Sequence, residues 1–184
     1  STDSDEKRNV CKAIYINMEL DHIDWRLLDA LQHDASLSNQ ALAERLRLSP
    51  PTALRRVRRL REAGLIAAQV ALLDEDRVAA AQGHGLTALA EVSLDRQGAE
   101  QLDAIERRAV QDSAVQQCWR VAPGPDFVLV LRVRDMPHYQ RLAERLFTQD
   151  ANVRNVRVFF ATRRAKFQTQ VPLARGGQPV PDDE

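Results

Sequence analysis

Residues 49–64, SPPTALRRVRRLREAG, show a short helical pattern that concentrates positive charge. Ser49 is a favoured N-cap residue, Pro50 suits the first helical position, and Gly64 offers a helix stop. The segment holds five arginines and one glutamate, a net charge of +4, whereas the 26 basic and 26 acidic residues of the whole chain cancel. A chain without net charge has therefore placed positive charge on one helix.

The pattern is also amphipathic at the helical period of 100° per residue. One side carries Thr52, Arg55, Arg56 and Arg59. The other side carries Leu54, Val57 and Leu60. We expect the apolar side to pack against other helices. An arginine face that is simply solvated would give the same pattern as one that binds a partner. The sequence before residue 49 distinguishes these two interpretations.

Two further helical patterns come first. Residues 38–48, SNQALAERLRL, begin at the N-cap Ser38 and end just before Ser49. Residues 20–34, LDHIDWRLLDALQHD, place an apolar stripe on another helix, made of Ile23, Leu27, Leu28 and Leu31. Two short helices joined by a tight turn, the second of them basic, are typical of a helix-turn-helix, and the earliest helix completes a trihelical core.

The basic face is a candidate for entry into the DNA major groove, where arginine can bond guanine O6 and N7 and can neutralise phosphate. We predict that the DNA-contacting residues are Ser49, Pro51, Thr52, Arg55, Arg56 and Arg59. Three acids near the first helix are interpreted as solvated helix residues rather than as paired catalytic acids: Asp24, Asp29 and Asp34.

From Thr87 the apolar period changes to two. Alternating runs predict strands near 87–94, 115–122, 126–134 and 153–164, and apolar spacings predict helices near 102–109 and 139–147. This order predicts a ferredoxin-like βαββαβ domain with both helices on one face of an antiparallel sheet. The expected fold class is therefore α+β, with an N-terminal winged or trihelical helix-turn-helix domain before the ferredoxin-like domain.

The other face of that sheet has no predicted helix to cover it. Leu89, Trp119 and Phe159 would form a large apolar patch there, and such patches usually mark a contact with a partner. We therefore expect a homodimer. Trp119 itself is interpreted equally well as an interface residue or as a core residue.

Other classes of protein find little support. With 44% hydrophobic and 28% charged residues, the sequence resembles an ordinary globular chain. We recognise no apolar run near the roughly 20 residues of a membrane span and no signal peptide, so we expect a cytoplasmic protein. Cys11 and Cys118 are far apart, and the four histidines have no metal-ligand spacing. We therefore predict no catalytic residue, no metal site and no cofactor.

Three segments of the first 66 residues resemble the Lrp/AsnC family of feast/famine regulators. They are LDxxDxxLLxxLQxD at 20–34, LAxRLxLS at 42–49 and RRVxRLxxxGLI at 55–66. KFQTQVPL at 166–173 resembles the family's closing K-x-x-T-x-x-P-L, so the resemblance covers about residues 19–173. It implies a transcriptional regulator that binds palindromic double-stranded DNA, assembles from dimers into octamers, and senses an amino acid or a related small molecule.

This chain departs from the family's pattern at one turn, in the region that the resemblance assigns to effector binding. The family motif G-x-x-D-Y/F is matched by VAPGPDF at 121–127, which puts Pro123 at the glycine's place and Gly124 one position later. Proline cannot supply a positive φ. The resemblance implies that the effector-binding residues are Gly124, Asp126 and Phe127. Asp126 could accept from the α-ammonium of an amino acid, or it could only cap the turn.

We predict a disordered tail at 1–18, a DNA-binding domain at 19–66, a linker at 67–86, a dimerisation and effector domain at 87–173, and a disordered acidic tail at 174–184. The linker is expected to begin with a short strand. Two alternatives to a sequence-specific regulator stay open. One is a non-specific architectural DNA-binding protein, and the other is a small-molecule-binding enzyme of ferredoxin-like fold.

Overall fold

The computed structural model describes residues 19–83 and 85–173, which form two compact units. Residues 19–71 and 168–173 form the helical unit, and residues 72–83 and 85–167 form the sheet unit. The tails predicted at 1–18 and 174–184 lie outside the described residues. No helix within the described ranges is both long and apolar enough to cross a membrane.

Three helices build the helical unit: α1 (His22–His33), α2 (Asn39–Leu46) and α3 (Pro50–Glu62). Each begins at a side chain that accepts from the first turn, namely Asp21, Ser38 and Ser49. The buried core is made of Leu27, Ala30, Leu31, Leu42, Leu46, Val57 and Leu60. This confirms the trihelical arrangement, and residues 65–71 contain no β-strand that would form a wing.

A tight turn joins α2 to α3. Arg47 adopts the left-handed conformation (φ 57°, ψ 47°), and the Leu48 amide donates to the Ala43 carbonyl over 2.8 Å. Ser49 follows at once as the N-cap of α3. At the other end of α3, Gly64 has φ 75° and the Leu65 amide donates to the Leu60 carbonyl over 3.0 Å, which confirms the predicted stop.

The buried side of α3 differs from the predicted one at a single position. Ala53, Val57 and Leu60 are buried, whereas the side chain predicted to pack, Leu54, is 53% exposed. Ala53, Val57 and Leu60 have the spacing i, i+4, i+7 and therefore define one narrow stripe. Leu54 lies 100° around the helix from Ala53. It therefore points away from the core although its side chain is larger than that of Ala53.

The predicted linker contains a helix, α4 (Glu75–Gln82), which begins at the N-cap Asp74. The short strand expected at the start of the linker is absent, because residues 67–74 form no regular structure. None of the residues of α4 is buried, and its apolar content is mostly alanine, so it has little periodic signal. Glu75 anchors it through Arg132 (Nη1–Oε2 3.1 Å) and Arg164 (Nη1–Oε1 3.0 Å).

The sheet unit continues with β1 (Leu86–Leu94), α5 (Ala99–Gln111), β2 (Val115–Arg120), β3 (Phe127–Val133), α6 (Met136–Ala143) and β4 (Val153–Phe160). A π-helical turn, Glu144–Thr148, extends α6. The strands form one antiparallel sheet in the order β2-β3-β1-β4. This confirms the ferredoxin-like prediction.

Alternate residues of the strands separate the two faces of the sheet. The face beneath the helices holds the core, which includes Ala88, Ala90, Val92, Leu94, Phe127, Leu129 and Leu131 with Ile105 of α5 and Leu142 of α6. The intervening residues point to the opposite face, which no helix of the described residues covers. We call it the open sheet face.

The end of the predicted effector domain belongs to the helical unit. Residues 168–173 group with that unit rather than with the sheet. The Val171 amide donates to Gln32 Oε1 over 2.9 Å, and Gln32 Nε2 donates to the Val171 carbonyl over 3.1 Å. This paired contact fixes the closing segment at the C-terminal end of α1.

Candidate DNA-binding surface and effector site

The N-terminal turn of α3 presents three of the predicted DNA-contacting residues to solvent. Ser49 and Pro51 are exposed and Thr52 is partly exposed. The Ser49 hydroxyl accepts from the Thr52 amide over 3.4 Å and lies 2.8 Å from the Thr52 hydroxyl. The first turn is therefore held in shape by its cap.

Arg56 and Arg59 bind the carboxylate of Asp24 on α1. Arg56 Nη1 donates to Asp24 Oδ1 over 2.8 Å, and Arg59 Nη2 donates to Asp24 Oδ2. Asp24 has no exposed surface, whereas Arg56 is 20% and Arg59 46% exposed. The interpretation of Asp24 as a solvated residue is thus wrong, because it lies on the buried stripe of α1 with Leu27 and is neutralised from α3.

Asp21 completes this cluster. Its carboxylate lies 2.8 Å from Arg56 Nη1 and also accepts from the amides of Ile23 and Asp24. Burial acts to raise the pKa of Asp21, but the Asp24 amide and Arg56 outweigh it, so the pKa of Asp21 lies below its ordinary value. Hydrogen bonds to Asp24 and then to Asp21 raise the pKa of Arg56 above its ordinary value. Both partners stay ionised at neutral pH.

The other arginines of α3 have separate environments. Arg58 Nε donates to Glu62 Oε1 over 2.7 Å on the surface, and Arg61 donates to Gln69. Arg55 is exposed, and no side chain within the described ranges pairs with it. Periodicity in the sequence groups Arg55 with Arg56 and Arg59, but the structure separates them by what they touch. An acid on the apolar stripe of α1 is the signal that could have revealed this.

The turn between β2 and β3 exposes Gly124 and leaves Asp126 partly exposed, two of the three predicted effector residues. Gly124 is exposed and has φ 126°, a conformation that side chains rarely adopt. The Leu94 amide donates to Asp126 Oδ2 over 2.6 Å, and the Asp126 amide donates to the Val92 carbonyl over 2.8 Å. One carboxylate oxygen of Asp126 therefore accepts a hydrogen bond from the last residue of β1, at the point where the pairing register of β1 with β4 shifts.

The third predicted effector residue, Phe127, is placed differently. Its ring has no exposed surface and packs in the core beneath the helices. The side chain of Phe127 therefore has a packing role in this chain. Its position follows from β3, in which Phe127, Leu129, Leu131 and Val133 all point to the covered face.

The open sheet face carries exposed apolar side chains from three strands. Leu89 of β1 lies opposite Phe159 of β4 and Val130 of β3, and Trp119 of β2 lies opposite Val128 of β3. Leu89 is 40%, Phe159 48% and Trp119 57% exposed. Trp119 is therefore a surface residue rather than a core residue, and the patch expected on this face is present.

Comparisons with known proteins match both units. Residues 87–171 match the Lrp/AsnC ligand binding domain, and residues 20–67 match a winged helix-turn-helix DNA-binding domain. The leucine-responsive regulatory protein of Rhizobium meliloti is 35% identical over 158 residues, which cover 86% of this chain and 99% of that protein. The DNA-binding transcriptional activator DecR of Escherichia coli is 32% identical over 154 residues, covering 84% of this chain and 99% of that protein.

Solved structures give the same result. An AsnC family transcriptional regulator from Agrobacterium tumefaciens superposes with a TM-score of 0.74 at 26% identity, covering 83% of this chain and 97% of that one. The transcriptional regulator NMB0573 from Neisseria meningitidis, solved as a complex with L-Met, superposes with a TM-score of 0.73 at 26% identity, covering 84% and 97%.

Proposed function

Since the chain belongs to the Lrp/AsnC family and is a DNA-binding transcriptional regulator, we propose that it recognises a palindromic operator through the exposed face of α3 and responds to an amino acid. Residues 19–66 form the DNA-binding domain in this proposal, and the dimerisation and effector domain, predicted over 87–173, ends at residue 167 because residues 168–173 group with the helical unit. A regulator of this kind carries out no chemistry on its ligand, in line with a family made of regulators rather than enzymes.

One observation supports the DNA-binding part of the proposal most directly: Arg55 is exposed on α3 and no described side chain neutralises it. Together with Pro51 and Thr52 it forms the surface that follows the N-cap. A guanidinium with no internal partner can bond guanine O6 and N7 at once, which is the commonest specific contact in the major groove. We therefore assign base recognition to Arg55 and backbone positioning to the first turn of α3.

The substitution Arg55→Ala is expected to weaken operator binding by about 10- to 100-fold, because a bidentate arginine–guanine contact contributes about 1–3 kcal/mol. Arg61→Ala is the matched control, since it removes the same charge from the same helix about 120° away. Operator fragments found by footprinting the DNA that flanks the protein's own gene provide the probe for fluorescence anisotropy. Equal losses in the two variants, or no preference of the wild-type chain for its operator, would contradict the assignment and favour an architectural protein.

We propose that two chains pair through the open sheet face. The apolar row of Leu89, Phe159 and Val130 lies at its centre, and the pair between Arg157 Nη2 and Glu91 Oε2 (2.6 Å) lies beside it. Burying such a row removes apolar surface from water, which is the main driving force for association. A two-fold dimer presents two copies of α3, so a palindromic operator follows from its symmetry. Further assembly of dimers, up to octamers, would extend the surface available to DNA.

Leu89→Lys is expected to shift the protein from dimer to monomer at micromolar concentration, because it places a charge at the centre of the apolar row. Val110→Lys is the control, since Val110 is an exposed apolar residue of α5, on the other side of the sheet. Sedimentation velocity on the full chain measures the result. The proposed interface would be excluded if Leu89→Lys sedimented as the wild type does.

We propose that the effector site includes the turn at Gly124 and Asp126. The exposed glycine gives a ligand close access to the backbone, and the carboxylate of Asp126 can accept from an α-ammonium with the oxygen that the Leu94 amide does not use. The regulator from Neisseria meningitidis was solved with L-Met, which supports an amino acid as the class of ligand. Ligand binding would change DNA affinity by linkage.

Asp126→Asn is expected to abolish the effect of an added amino acid on DNA binding while leaving dimerisation and basal operator affinity unchanged. Asparagine keeps an oxygen for the Leu94 amide but removes the negative charge that would attract an ammonium group. Asp95→Asn, at an exposed aspartate just after β1, is the charge-matched control. Anisotropy titrations with each amino acid in turn test the pair, and a normal response of Asp126→Asn would place the site elsewhere.

A further inference from the structure

We propose that Asp24 is a positioning residue that holds Arg56 and Arg59 away from DNA and so lowers the sequence-independent part of the DNA affinity. The inference rests on the proposed function, because it concerns which arginines of α3 touch DNA. The α3 helix carries five arginines, and only those that Asp24 does not bind are available to DNA phosphates.

The geometry ties both arginines to one buried point. Each oxygen of Asp24 accepts from a different guanidinium, Oδ1 from Arg56 and Oδ2 from Arg59. Oδ2 also accepts from the Asp21 amide over 3.2 Å, which fixes the carboxylate at the start of α1. Arg56 and Arg59 follow Asp24 in the sequence by 32 and 35 positions. The carboxylate is therefore held rigidly between two helices.

The energetics favour retention of these pairs when DNA binds. A buried carboxylate that loses its partners has no water to replace them, so breaking such a pair by removing one partner is strongly destabilising. A contact between arginine and a DNA phosphate at the protein surface stays exposed to water, so it gains much less free energy than the buried pair would lose. Arg56 and Arg59 therefore stay on Asp24, and Asp21 adds a second acceptor for Arg56.

The retention of these pairs limits the affinity for DNA of any sequence. Binding to arbitrary DNA depends mainly on the number of phosphates that lysine and arginine neutralise. Because Arg56 and Arg59 neutralise no phosphate while they bind Asp24, the affinity is lower by the same factor for every DNA sequence. Arg55, which reads bases, keeps its full contribution at the operator. Arg55 therefore sets the ratio of operator to random affinity, while the salt-dependent affinity for DNA of any sequence falls.

The test compares Asp24→Asn with Asp29→Asn in the full chain. Both variants remove one negative charge from α1, but the exposed Asp29 pairs with Gln32 and His33 and with no arginine of residues 19–173 that the structure describes. Affinities for the operator fragment and for a scrambled fragment are measured from 50 to 300 mM salt, after circular dichroism has shown that each variant is folded. We expect Asp24→Asn to bind scrambled DNA at least 5-fold more tightly than Asp29→Asn. Its plot of log affinity against log salt should be steeper by about 1–2, since each new phosphate contact adds about 0.9.

Asp24→Glu is the rescue variant, because it keeps the negative charge and is expected to restore the wild-type slope. A purely structural role for Asp24 would change the melting temperature of Asp24→Asn without changing the slope, and that result would overturn the inference. Specific operator binding by the wild type together with identical slopes for the two asparagine variants would overturn it while leaving the proposed function intact. A wild-type chain that binds no DNA would overturn both.

A second measurement needs no variant. In wild-type protein labelled with ¹⁵N-arginine, the guanidinium resonances of Arg56 and Arg59 are expected to keep their positions when operator DNA is added, whereas that of Arg55 shifts. Shifts of Arg56 and Arg59 as large as that of Arg55 would show that both leave Asp24 for DNA, and would overturn the inference even if Asp24→Asn did not fold.

Discussion

Asp24→Ala is expected to lower the free energy of unfolding of the helical unit by about 3 kcal/mol. The substitution removes two charge-assisted hydrogen bonds, each typically contributing about 1.5–3 kcal/mol, together with the reciprocal bond of the α1 capping box. Arg56 and Arg59 regain part of this by turning to water, because both are partly exposed. The loss is therefore smaller than the sum of the bonds.

Urea titration followed by tryptophan fluorescence measures this loss. Trp25 lies on α1 and is one of only two tryptophans, so a Trp119→Phe background makes the signal specific for the helical unit. Asp29→Ala on the same helix should change the unfolding free energy by no more than about 0.5 kcal/mol, as surface substitutions usually do. Equal effects of the two substitutions would show that the buried cluster does not stabilise the unit.

Phe127→Ala is expected to lower the free energy of unfolding of the sheet unit by about 3–5 kcal/mol, the usual cost of truncating a fully buried phenylalanine. The ring belongs to the core that β3 shares with α5 and α6, and its removal leaves a cavity beneath the helices. Phe127→Leu retains most of the apolar volume and should cost only about 1 kcal/mol. The same titration in a Trp25→Phe background, with Trp119 as the reporter, compares the two.

Phe167→Ala is the control for this prediction, because that ring is 48% exposed. It should cost far less than Phe127→Ala. A small effect of Phe127→Ala, combined with loss of the amino acid response, would contradict the packing role and return Phe127 to the effector site. The prediction therefore separates a role in stability from a role in binding.

Local signals in the sequence predict every helix and strand of the two units except α4, in the correct order. Caps at Ser38 and Ser49, the stop at Gly64, and the change from a helical to a strand period at Thr87 act over a few residues, so they can be read locally. The resemblance to the Lrp/AsnC family rests on the same local motifs. The α4 helix was missed for the same reason, because a short alanine-rich segment with no buried residue has no periodic signal.

The role of each side chain depends on contacts between elements that are distant in the sequence. Periodicity places Arg55, Arg56 and Arg59 on one side of α3, but the side chain that neutralises two of them comes from α1, 32 and 35 residues earlier. Likewise Asp126 and Phe127 are neighbours in the sequence, yet Asp126 is partly exposed and bonds the Leu94 amide, whereas Phe127 has no exposed surface. A period describes the direction of a side chain relative to its own helix or strand. Charge pairing and burial depend on which other element folds against it.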